Sequence, residues 1–213
     1  GVKVVATVTL LGIPVALLYW HSGPRMRGLI LVATLLPMLT SNVVRTFSWI
    51  VILGRNGPIS QTLVELGLSS RPLSLLFTET GLIMALTQIE LPLLVLPLIA
   101  VLSRANSRFV DAAQVLGAGQ WRSFLTVILP MLTPAIFAGW VLVFASATTS
   151  YVTQSVIGGA RLIYMPQFVY REVGVLFQWP MAAAISFLLL ISTGVVMLGL
   201  TLLARHRRLV AYA

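Results

Sequence analysis

Five apolar runs, separated by short polar segments, constrain this chain more than any other feature. They cover residues 4–20, 28–53, 75–102, 131–151 and 181–204. Each reaches or approaches the roughly 20 apolar residues needed to cross a bilayer's hydrocarbon core. A chain with so many cannot fold as a water-soluble globule. Composition agrees: 58% of residues are hydrophobic, 9% are charged and the mean hydropathy is +0.99. The expectation is an all-α transmembrane helical bundle of about five spans, forming a single domain over residues 1–213.

The spans are not uniformly apolar. Pro14 interrupts the first, and Pro37, the polar run Thr40–Asn42 and Arg45 interrupt the second. The third carries Glu79, Gln88 and Glu90 together with Pro92 and Pro97. Proline is tolerated here because neighbouring helices satisfy the freed carbonyls. Between spans, residues 54–74 hold the turn signals Asn56-Gly57-Pro58 and Arg71-Pro72, with a short amphipathic helix expected over 59–66. Residues 152–179 form a mixed segment with Gly158-Gly159 and many aromatics.

Several functions are excluded by counting. The net charge of +9 lies in loops between apolar runs, which fits membrane topology and not a nucleic-acid face. Lys3 is the only lysine, so the chain has no P-loop; any ATP-driven work here needs another subunit. There are no cysteines, and His21 and His206 are the only histidines, so no thiolate or histidine metal cluster is expected. G-x-S-x-G and H-E-x-x-H motifs are absent, which argues against a membrane-embedded hydrolase.

Arginine placement sets an expected orientation. Arg25, Arg27, Arg104, Arg108, Arg122, Arg205, Arg207 and Arg208 fall on one side of the alternation. Lys3, Arg55, Arg71, Arg161 and Arg171 fall on the other. The richer side is cytoplasmic by the positive-inside rule. It holds the loop 103–122 and the C-terminus, and leaves 54–74 and 152–179 outside. Gly1 then lies outside, and a chain opening there with Gly instead of Met is expected to be preceded by at least one further span.

Within that cytoplasmic loop, Asp111-Ala112-Ala113 is followed after three residues by Gly117, then after nine by Val127, and then by Leu129-Pro130. An acid in a first helical turn suits the macrodipole, small residues permit close approach, and glycine permits a sharp turn. The spacing and residues resemble the EAA loop of bacterial ABC-importer permeases, with Asp111 for Glu and Val127 for Ile. The likeness continues through Leu36-Pro37, the run 44–49, Leu53-Gly54, Phe77-Thr78-Glu79, Leu91-Pro92, Leu96-Pro97-Leu98, Gly158-Gly159 and Trp179-Pro180. Over about residues 12–200 it is most similar to spermidine/putrescine-type permease subunits. Glu90 departs from that family, which commonly has an apolar or hydroxyl residue there.

The resemblance implies a bacterial inner-membrane subunit paired with a second, related permease chain. Two copies of a cytoplasmic ABC ATPase, which bind ATP and Mg, would dock below, and a periplasmic solute-binding protein would deliver solute above. Asp111, Ala112, Ala113 and Gly117 would form the ATPase-coupling segment. The candidate solute-path residues are Glu90, Glu79, Tyr151, Gln154, Trp49 and Arg45. A charge within a span costs about 2.5–3.5 kcal/mol by insertion scales, so each requires a partner, a cavity or an interface. For Arg45 the readings are a gate, an ion pair or a snorkelling arginine. For Glu90 they are a solute path or a buried pair with Arg45 or the partner subunit. Glu79 and Glu90 are three turns apart and nominally share a face, as two anionic stations would. Gln88 reads as a packing hydrogen bond and Trp49 also as an interface-belt aromatic. An ion-coupled carrier using the span charges is the main rival, but leaves the loop's spacing unexplained.

Overall fold

The computed structural model describes residues 1–67, 71–104 and 119–211. They form α1 (Val2–His21), α2 (Pro24–Leu39), α3 (Asn42–Leu53), α4 (Pro58–Glu65) and α5 (Glu79–Arg104). After these come α6 (Gln120–Ser123), a π-helical turn (Phe124–Ile128) and α7 (Leu129–Thr149). The chain ends with α8 (Tyr151–Gly158), α9 (Met165–Gly174) and α10 (Trp179–Ala211). Among the described residues there are no strands.

Four of these elements are long and apolar enough to span a membrane: Val2–His21, Glu79–Arg104, Phe124–Thr149 and Trp179–Leu202. The expected second span is not one straight helix. It breaks after α2: Pro24–Leu39 and the stretch Asn42–Glu65, which holds α3 and α4, are bent by 101°. The pair counts as a fifth span only if the bent unit crosses as a whole. The sequence explains the break. Thr40 has extended backbone, its hydroxyl turns back to the Pro37 carbonyl at 2.7 Å, and the Ser41 side chain caps α3 by accepting from the Val43 N–H at 3.3 Å. The expected helix over 59–66 is α4, and the mixed segment 152–179 holds most of α8 and all of α9.

α5 is the centre of the bundle. It is buried on several sides, through Leu82, Ala85, Leu86, Ile89, Leu94 and Leu98 among others, as a helix with apolar residues all round should be in a core. α1 instead buries one stripe at four- and three-residue intervals, Val4, Val8, Gly12, Ala16 and Tyr19. Close approach depends on two glycines. A Cβ on Gly139 of α7 would overlap Leu94, and one on Gly12 of α1 would stand 3.0 Å from the same side chain. Leu94 therefore fills the space that two glycines leave, and backbones approach as they do at membrane helix interfaces. Polar contacts add direction. The Thr7 and Thr87 hydroxyls meet at 2.6 Å, Trp140 Nε1 donates to Thr9 Oγ1 at 2.7 Å, and the buried Thr46 and Thr153 hydroxyls lie 3.0 Å apart.

The candidate solute cavity

The break between α2 and α3 opens a cavity of about 350 Å³ at the middle depth of α5. Its mouth is formed by exposed Met38 and Thr40, and its inner wall by Ile89, Glu90, Leu93 and Ser146. Glu90 is 3% exposed, and Ser146 Oγ of α7 donates to its Oε1 at 2.9 Å. Arg45 enters from the first turn of α3, where one terminal nitrogen donates to Asn42 Oδ1. Its Nε and Nη1 are buried and have no partner among the described residues. Arg45 and Glu90 line the same cavity, yet no ion pair joins them among the described residues.

The other sequence-selected residues are elsewhere. Glu79 forms an exposed ion pair with Lys3 at 2.5 Å and lines a second cavity, of about 380 Å³, together with Gln154 and Tyr164. Gln154 is buried and donates to the Ala147 and Thr148 carbonyls at 2.9 and 3.3 Å, while its own Oε1 has no partner among the described residues. Burial first, and then Glu79, push the Tyr164 phenol above its ordinary pKa, with Lys3 opposing, so it stays neutral at physiological pH. Tyr151 stacks on Tyr170 with ring centroids 4.7 Å apart and lines a third cavity with Arg171. Trp49 Nε1 donates to Gln88 Oε1 at 3.1 Å, which gives Gln88 its expected packing role and turns the indole inward from a lipid belt.

Glu79 and Glu90 thus face different cavities despite their shared nominal face. α5 is surrounded, so depth decides which neighbour a side chain meets. The N-terminal end of α5 meets Lys3 of α1; about 16 Å further along, Glu90 meets α3 and α7. Sequence reasoning selected both charges of the central cavity and missed Ser146. The signal was there, in the polar run from Ser146 to Ser150 that closes α7.

Asp111, Ala112, Ala113 and Gly117 lie outside the described residues. The end of that motif is described: Val127 lies in the π-helical turn, and Leu129-Pro130 open α7. A proline here lacks the N–H that a continuous α-helix would use, and π turns commonly mark such irregular points.

This helical architecture, with a cavity lined by charged and polar side chains within it, defines a multi-span membrane protein. The chain belongs to the family of binding-protein-dependent transport system inner membrane components, whose model matches residues 8–208. It is similar to the spermidine/putrescine transport system permease protein PotB of Haemophilus influenzae, at 32% identity over 83% of this chain and 62% of that protein. PotB of Escherichia coli K12 is 28% identical over 88% of this chain and 68% of its own length. The molybdenum transport system permease protein ModB of Azotobacter vinelandii is 32% identical over 72% of this chain and 67% of its own. The chain therefore spans less than two thirds of the first of these relatives. Its fold matches a chain in the crystal structure of a bacterial ABC transporter involved in the import of the acidic polysaccharide alginate. That match has a TM-score of 0.77 at 17% identity, and covers 96% of this chain and 76% of that one.

Proposed function

We propose that this chain is the permease subunit of an ATP-driven importer, and that its solute is a polyamine or a related small organic compound that carries an ammonium group. The family match over residues 8–208 supports the first part. The names of the PotB relatives support the second, together with the buried Glu90 carboxylate in a cavity that opens at a break in a span. A carboxylate at that depth is costly to maintain without a partner or a passing cation.

In this reading the chain hydrolyses nothing. A second, related permease chain completes the path, two copies of a cytoplasmic ABC ATPase hold ATP and Mg, and a periplasmic binding protein presents solute. The segment 103–122 faces the cytoplasm. Asp111 supplies charge and hydrogen bonding to the ATPase cleft, Ala112 and Ala113 allow close approach, and Gly117 makes the turn. ATP-driven closure of the ATPases shifts the bundle between two packed arrangements through differential binding.

The test is uptake and ATP hydrolysis in proteoliposomes that hold the whole transporter, with spermidine and putrescine. Gly117→Asp is expected to abolish uptake and its coupling to hydrolysis while the complex still assembles. Normal transport by this variant would remove the coupling role. Uptake that survives an inactive ATPase and collapses with the proton gradient would instead establish an ion-coupled carrier.

A further inference from the structure

The central cavity is lined by two opposite charges that form no direct ion pair with each other. Glu90 sits on its inner wall with Ser146 as donor to one oxygen. Arg45 faces the same space with Nε and Nη1 buried and unpartnered, while Asn42 holds its remaining terminal nitrogen. Buried guanidinium N–H groups without acceptors are costly, and a buried carboxylate with one hydroxyl donor is under-satisfied. A direct ion pair would relieve both, and the two residues do not form one. Both line one space of about 350 Å³, within the range of small-ligand pockets. Ile89 and Leu93 give it apolar walls suited to methylene groups.

We infer that the Arg45–Glu90 cavity is a two-point solute station, which holds a solute ammonium at Glu90 and a carboxylate or similar acceptor at Arg45. The preferred solute is thus a small zwitterion such as an ω-amino acid. This inference rests on the chain being a permease subunit and narrows the solute away from the diamine. A diamine satisfies Glu90 with one end but brings its second ammonium against the guanidinium, where like charges repel. A zwitterion of the same length satisfies both residues and gives the two orphaned nitrogens an acceptor for charge-assisted hydrogen bonds.

Putrescine and 4-aminobutyrate have equal chain length and differ at one end, which makes them the probes. Uptake of each is measured in proteoliposomes holding the intact transporter with its binding protein. Wild type should take up 4-aminobutyrate. Glu90→Gln should raise KM for both probes about tenfold, the loss expected for one charge-assisted hydrogen bond. Arg45→Gln should raise KM for 4-aminobutyrate by about as much and lower it for putrescine, because a repulsion is removed. Should Arg45→Gln not reach the membrane, Arg45→Lys carries the same comparison. It keeps the charge and loses the planar fork, so it should raise KM for 4-aminobutyrate and leave putrescine disfavoured.

Equal shifts for the two probes in the arginine variants overturn the station. So does wild-type uptake of putrescine alone, or of neither probe. An inactive ATPase tests the other premise separately: uptake that persists without hydrolysis refutes the permease reading and leaves the KM pattern standing.

Discussion

α5 and α10 are both long enough and apolar enough to cross a bilayer, but 61% of the most apolar window of α5 is buried within the chain against 6% of that of α10. Hydrophobicity sent both helices into the membrane and did not decide which became the core. Small and polar residues decided that. α5 meets α1 and α7 across Gly12 and Gly139, both close against Leu94, and carries Thr87 and Glu90 to partners on α1 and α7. α10 also has glycines, Gly194 and Gly199, but a Cβ at either would meet nothing within 4 Å. Its Phe187, Leu188, Leu190 and Val195 are exposed. In hydrocarbon, apolar surface gains nothing by meeting apolar surface, so packing and hydrogen bonds determine which helices associate. The same residue type therefore serves close approach in one region and is a neutral presence in the other.

The sharpest way to break this comparison is to add bulk to a glycine in each region. Gly139→Leu should destabilise the protein by about 1–3 kcal/mol through overpacking against Leu94, read as a fall in thermal midpoint in detergent. Gly199→Leu should leave the midpoint unchanged, and equal effects would erase the distinction. Next in size is Ser146→Ala, which removes the donor to buried Glu90. It should cost about 1–3 kcal/mol in the same measurement, because a buried charged acceptor loses its partner. Trp49→Phe removes the bond to Gln88 and should cost about 0.6 kcal/mol, the mean for an interhelical bond in a membrane protein. The smallest effect is expected on α10. Leu190→Ala should change the stability of the isolated chain by less than about 0.5 kcal/mol. A clearly larger effect in the assembled transporter would sharpen the comparison, since it would mean that another subunit covers this face.

The sequence by itself determined the all-helical, membrane-spanning class. Apolar runs of sufficient length leave no other way to satisfy backbone hydrogen bonds in hydrocarbon. It also located the break in the second span, through Pro37 and the Thr40–Asn42 run, and singled out Arg45 and Glu90 as charges needing an explanation. Tertiary structure decided how those charges are used. Period and spacing placed Glu79 and Glu90 on one face of one helix, and gave no information about what surrounds that helix at each depth. Only packing set Glu79 beside Lys3, Glu90 beside Ser146, and Arg45 on the same cavity as Glu90. The 101° bend that opens this cavity shows why. Local sequence can end a helix, but the direction in which the next one leaves depends on contacts such as Thr46 with Thr153, which lie 107 residues apart in the chain.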